Sequence, residues 1–137
     1  MKNDNYIIGE INIKESEINK YIRIINSFEK VKRERKYLDN KFDYEYENEK
    51  EIKEKCKIEI NNKEIQFNYY YKFKEKGKYK IKYSFINNID KTDFMFYECR
   101  YLTNINLSNF NTKNDIDIYG MFSWCGSLIK KITIPNK

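Results

Sequence analysis

Residues 95–110, MFYECRYLTNINLSNF, and residues 121–135, MFSWCGSLIKKITIP, are two copies of one pattern. Met95, Phe96, Cys99 and Leu102 recur as Met121, Phe122, Cys125 and Leu128, each 26 residues later. The chain has three Met and three Cys, and Met1 stands first, so both internal Met and two of the three Cys share one register. A fixed period of this size marks stacked repeats, in which each unit buries its apolar face against the next. In the first unit, Leu102, Ile105 and Leu107 turn inward while Thr103, Asn104 and Asn106 stay polar. In the second, Leu128, Ile132 and Ile134 take those places, with one residue inserted. Asp93 and Gly120 precede the Met-Phe pairs and suit the start of a short helical turn.

The segments MFYECRYL, LTNINLSNFNT and MFSWCGSLIKKITIP resemble the BspA-type leucine-rich repeat family in order and spacing, over residues 94–135. The resemblance implies a curved solenoid with one short parallel strand per repeat and a ladder of buried Cys and Phe. It also implies a surface or adhesion-type protein that works by binding a protein partner. The chain departs from the family in length, holding fewer than two repeats and no obvious C-terminal cap.

Outward from the repeats, residues 1–90 read as an N-terminal β domain and residues 91–137 as the repeat segment. YIIGEINI, residues 6–13, alternates after Gly9, with Ile11 and Ile13 on one side, and predicts a strand. YIRIINSF, residues 21–28, is rich in β-branched residues and predicts a second strand. Residues 29–55 are mostly charge and aromatics, which predicts a long loop with a short helix near 47–55. Within that helix Glu49–Lys53, Lys50–Glu54 and Glu51–Lys55 are opposite charges at i,i+4, each worth about 0.2–0.5 kcal/mol. Ile58 and Ile60, a turn at Asn61-Asn62-Lys63, then Ile65 and Phe67 predict a hairpin. Phe67, Tyr69, Tyr71 and Phe73 continue the alternation, and after Gly77 a strand follows with Tyr79, Ile81, Tyr83 and Phe85 on one face. Tyr79 and Ile81 lie 26 residues before Ile105 and Leu107. This phase predicts that the last strand of the β domain caps the first edge of the solenoid. YYKFKEKGKYKIKYSF, residues 70–85, also resembles the late strands of an Ig-like or PKD-like sandwich. The expected fold is therefore mainly β, a small sandwich-like N-terminal domain capping a short leucine-rich-repeat-like solenoid.

The composition excludes more chemistry than it suggests. Hydrophobic residues are 40% of the chain and charged residues 35%, which allows a thin core under a charged surface. His is absent, removing the usual general base and the commonest metal ligand. Cys56, Cys99 and Cys125 form no CxxC pair, so no zinc or thioredoxin-like site is expected. Cys99 and Cys125 read as core residues, with a disulfide between them left open. No Gly-rich phosphate loop or nucleophile–base motif appears, and the expectation is a non-enzyme without cofactor or metal. No stretch has the length to span a membrane and no leader is visible. Location stays open, because the Cys usage fits a reducing compartment while the family resemblance suggests a surface. Partner identity and oligomeric state are not legible.

The net charge of +6 invites a polyanion partner, although a chain rich in Lys, Asn, Ile and Tyr also reads as codon bias. Lys72, Lys74, Lys76, Lys78, Lys80 and Lys82 fall at every second residue. If the strands on both sides of Gly77 keep phase, one face carries all six. Nucleic acid or an anionic surface is one reading, and a solvated face that blocks edge pairing is the other. Lys30, Lys32, Arg33, Arg35 and Lys36 form a second basic cluster, which the acidic run at Glu45–Glu54 is placed to neutralise. The main reading is protein recognition through Thr103, Asn104 and Asn106 on a solenoid strand, with Trp124 as an anchor at the edge.

Overall fold

The computed structural model describes residues 5–34, 47–87, 89–110, 121–122 and 132–133. Its elements in chain order are β1 (Tyr6–Ile13), a 3-10 turn (Glu15–Glu17), β2 (Tyr21–Arg23), α1 (Phe28–Glu34) and α2 (Glu49–Lys55). They are followed by β3 (Cys56–Ile60), β4 (Lys63–Ile65), β5 (Tyr70–Lys72), β6 (Gly77–Phe85), β7 (Leu102–Asn106) and β8 (Ile132–Thr133). The protein is mainly β. Six strands form an open sheet in the order β4-β3-β6-β1-β7-β8, and β2 pairs with β5 in a separate ribbon. All described pairings are antiparallel except β7–β8. Among the described residues no helix is long and apolar enough to cross a membrane.

The period-two alternation decides which face of the large sheet is covered. Ile7, Ile11 and Ile13 of β1 are buried with Ile58 and Ile60 of β3, Ile81, Tyr83 and Phe85 of β6, and Leu102 and Ile105 of β7. Over that face lie the ribbon, α2 and the turn at 93–99, joined in one core cluster, while α1 buries Phe28 and Val31 outside it. The covering layer is thus a mixture and not a second full sheet. Tyr83 crosses the core and its hydroxyl donates to the Ile24 carbonyl at 2.6 Å, so its polar end is satisfied. Gly9 sits opposite Ile81 and Ile105 on the neighbouring strands, where an added Cβ would meet Leu102 Cδ2 at 3.1 Å and Tyr83 Cε1 at 3.4 Å. The absence of a side chain there lets Tyr83 and Leu102 close over β1.

Several expected elements form as read. The hairpin is β3–β4, and its Asn61 and Asn62 both have positive φ, 49° and 70°, which Asn tolerates better than most residues. Asn61 Oδ1 then accepts from the Lys80 amide at 2.8 Å, tying the turn to β6. Helix α2 carries the Glu49–Lys53 and Glu51–Lys55 pairs at 3.7 and 2.9 Å. Its single apolar residue, Ile52, is fully buried, which contributes about 1.5–3 kcal/mol and anchors a helix too short to stand alone.

Three expectations change. The strand over 21–28 stops at Arg23, and a helix begins at Phe28. The cause is Asn26-Ser27: Asn26 Oδ1 accepts from the Ser27 amide and Ser27 Oγ accepts from the Lys30 amide at 3.2 Å, an N-cap arrangement that competes with sheet pairing. The loop over 29–55 is therefore helical at 29–34 as well as near its end. The strand over 67–73 shrinks to β5 and leaves the large sheet for the ribbon, although Tyr69 and Phe73 stay buried and Lys72 and Lys74 exposed, in phase. Finally, β6 does not border β7. Strand β1 lies between them, antiparallel to both, so the edge of β7 facing the N-terminal segment is covered by β1. Strands from both sides of residue 90 consequently share one sheet and one core.

The described residues of the second unit contact the first at three points. Ile105 pairs with Ile132 and Asn106 with Thr133 in a parallel ladder, the correspondence with one residue inserted that the pattern gave. The Phe96 amide donates to the Met121 carbonyl at 2.9 Å, and the Phe96 and Phe122 rings stack at 5.3 Å and 5°. Met95, Phe96, Cys99, Met121 and Phe122 are all buried. Phe94 holds φ at 63°, a conformation that favours Gly, and the position 26 residues later is Gly120. In the first unit the Phe94 ring packs against Phe28 at 5.6 Å and Tyr97 at 5.2 Å.

Candidate functional site

The uncovered face of the large sheet brings together residues that the sequence presents as rivals. Strand β7 contributes Thr103, Asn104 and Asn106, β1 contributes Glu10 and Asn12, and β6 contributes Lys78, Lys80 and Lys82. Because one strand separates β6 from β7, the Lys row and the Asn row lie about 10 Å apart on the same face.

Glu10 is the centre of this face. It pairs with Lys80 on one side and Asn104 on the other. The register of β1 against β7 slips between Glu10 and Ile11, leaving Thr103 as an extra residue in β7, a β-bulge. The bulge places Thr103 and Asn104 next to each other against the same residue. Thr103 Oγ1 donates to the Glu10 carbonyl at 3.3 Å, and Asn104 Nδ2 donates to Glu10 Oε1 at 3.4 Å. Asn106 has a local task. Its Oδ1 accepts from the Ser108 amide at 2.8 Å and from the Ser108 hydroxyl, the side-chain turn that Asn-x-Ser favours. Only its amide donors remain to meet a partner. Trp124 and Cys125 lie outside the described residues.

The six lysines do not share a face. Lys78, Lys80 and Lys82 point out from the large sheet, Lys72 lies on β5 in the ribbon, and Lys74 and Lys76 lie in the connection between them. Gly77, with φ at 136°, makes the change of direction between the two sheets. The alternation is kept, but the chain leaves one sheet and enters another. Lys82 rests over the Tyr6 ring at 4.5 Å, and Lys76 reaches Glu15 at 3.7 Å. The large-sheet face also holds Lys57, Glu59 and Glu64, with Lys57 Nζ within 3.9 and 4.0 Å of the two carboxylates. With Glu10 facing Lys80 and Glu59 facing Lys82, the face is a near-neutral mosaic of charges and amides, not a cationic surface.

A second cluster, not anticipated from the sequence, joins the helices to the ribbon. Arg33 of α1 donates twice to Glu49 of α2, at 3.1 and 2.6 Å, and the Tyr69 hydroxyl donates to the same carboxylate while bonding Ser27 Oγ at 2.8 Å. The Arg33 hydrogen bonds, working against burial, hold the Glu49 carboxyl at about 2, while burial and the Glu49 carboxylate push the Tyr69 hydroxyl up. Beside it, Arg23 donates to Glu34 and to the Tyr70 hydroxyl, each at 2.6 Å. Burial alone would raise the Glu34 carboxyl, but bonds from Arg23 and Tyr70 bring it below the usual carboxylate range. Arg33 and Glu49 belong to the basic and acidic runs, and here they neutralise each other. Pairing β2 with β5 sets Arg23 beside Tyr70, and neither strand's own pattern announces it.

Two buried Asn side chains fix the repeat turn to this cluster. Asn26 donates to the Tyr97 carbonyl at 2.9 Å. Asn48 donates to the Asp93 carbonyl at 2.8 Å and the Lys91 carbonyl at 3.3 Å, and accepts from the Phe28 amide at 2.9 Å. Among the described residues, no group of three or more His, Cys, Asp or Glu is placed to hold a metal. Comparison with protein-family models, curated proteins and solved structures finds no match to this chain.

Proposed function

We propose that the chain is a non-catalytic protein-recognition module of the BspA-like leucine-rich repeat type, with its contact surface on β7. The observation that carries the reading is the layering of the two units, Ile105 beside Ile132 and Phe96 stacked on Phe122. Stacked parallel strands present a row of polar side chains at a fixed spacing, which suits partner binding better than catalysis. Thr103 and Asn104 are held by Glu10 and so are already ordered before a partner arrives, lowering the entropy cost of binding. The reading keeps Trp124, which lies outside the described residues, as an anchor on sequence grounds alone.

The test is affinity capture from nuclease-treated native lysate at physiological salt. A discrete stoichiometric protein that survives nuclease is the expected result. Polyanion binding through Lys78, Lys80 and Lys82 is the rival reading, weakened by the carboxylates among them. Six phosphate contacts to duplex DNA would give a log–log salt slope of about −5, and three contacts about −3. Loss of all captured material after nuclease, with such a slope, would favour the rival.

A further inference from the structure

The ribbon carries a feature that the repeat reading does not use. Tyr21 pairs with Lys72 and Arg23 with Tyr70, so aromatic and cationic side chains alternate on one face of β2–β5. Ile22 between them is buried, and on the opposite face Tyr21 and Lys72 are exposed while Arg23 is largely covered, its side chain 11% exposed. Tyr21 is 70% exposed, the most exposed aromatic among the described residues. Its ring meets Tyr70 edge-on at 6.5 Å, with Lys72 Nζ 4.6 Å from its centre. Lys30 of α1 reaches over Tyr70 at 5.6 Å and Tyr69 at 5.5 Å, and Lys53 of α2 lies 5.8 Å from Tyr69. Arg23 covers Tyr70 at 4.6 Å. With Arg33, five cations surround these rings against the two carboxylates Glu34 and Glu49.

We infer that this face of the ribbon binds single-stranded nucleic acid. Cations alone would serve any polyanion, but an exposed ring at their edge, beside Lys72, adds a stacking surface. Base–aromatic stacking with flanking cations is the chemistry by which single strands are held without reading their sequence. Tyr21 supplies the platform, while Lys72 and Lys30 supply charge for the adjoining phosphates. Arg23, fixed by Glu34, keeps Tyr70 upright beside it. The site is separate from β7, and it differs from the Lys78–Lys82 row in having an exposed ring. Anionic glycan remains an outcome of the test.

The experiment is fluorescence anisotropy of a labelled oligo-dT strand with the full chain, between about 50 and about 200 mM salt. Duplex DNA and heparin serve as competitors. The expected result is binding of the single strand in preference to duplex. Tyr21→Ala should weaken it roughly 5- to 150-fold, while Tyr21→Phe retains it. Lys72→Gln should lower the salt slope by about 0.7. An unchanged thermal midpoint in Tyr21→Ala, expected for so exposed a side chain, makes the loss a binding effect. No binding at low salt would overturn the inference. So would binding indifferent to Tyr21→Ala, or heparin bound as tightly by Tyr21→Ala as by the parent chain. Binding abolished by replacing Lys78, Lys80 and Lys82 but not Tyr21 would assign it to the large sheet.

Discussion

Acid should loosen the clamp between α1, α2 and the ribbon before it disturbs the sheet, and Glu49 is the residue to change. Its carboxyl is held at about 2, against an ordinary 4.5, chiefly by the Arg33 hydrogen bonds. A carboxylate whose folded-state value is depressed stabilises the fold fully above the unfolded value. That contribution is lost as pH falls from about 4.5 towards about 2. At 1.36 kcal/mol per pH unit the ceiling is about 3.4 kcal/mol. The Arg33 side chain is 53% exposed, so water screens the pair and about 1–2 kcal/mol is the expected share. Glu49→Gln removes this contribution and leaves Glu34, whose carboxyl shifts in the same direction, in place. Urea unfolding at neutral pH should show the variant destabilised by about 1–2 kcal/mol. Repeating the titration down through the acid window should show the two proteins converging. Equal losses in both proteins over that window would refute the assignment of the acid sensitivity to this pair.

Other consequences are smaller and independent. Gly9→Ala should cost about 1 kcal/mol or more by urea unfolding, because the new methyl must displace Leu102 or Tyr83, and an unchanged midpoint would contradict that packing. Asn48→Ala should cost about 1–3 kcal/mol, since it strips partners from the Phe28 amide and the Asp93 carbonyl in a site only 2% exposed. A cost near zero would mean that the turn at 93–99 is not held by this side chain. Burial pushes the Cys56 thiol up, so native-state alkylation at this residue, followed by mass spectrometry, should be slow and accelerate only with denaturant. Rapid labelling in buffer would contradict its burial.

What could be read from the sequence was local. The alternation in residues 6–13, 56–60 and 77–85 told which side chains turn inward, and the i,i+4 charges with Ile52 located α2. The correspondence of Ile105 with Ile132 followed from the repeat alone. Strand order did not follow, because a period of two specifies a face and says nothing about a neighbour. Tyr79 and Ile81 share a phase with Ile105 and Leu107, but β1 takes the place between them. The same limit misled the six-lysine alternation, whose phase survives while Gly77 moves the chain between sheets. The helix at 28–34 was legible in principle, since Asn26-Ser27 is a cap signal, but the β-branched run before it dominates a propensity reading. The candidate contact residues were found on β7, whereas Glu10, which orders two of them, belongs to a strand 93 and 94 residues away in sequence.

The most direct test of the recognition reading is to alter β7 without harming its turn. Thr103→Ala, Asn104→Ala and Asn106→Asp together remove the donors, while Asp keeps the acceptor that the Ser108 amide needs. Capture of the partner by the triple variant and the parent chain should be compared under identical salt, with thermal midpoints matched. Loss of the stoichiometric partner in the variant is the predicted result. Undiminished capture would contradict the placement of recognition on this strand.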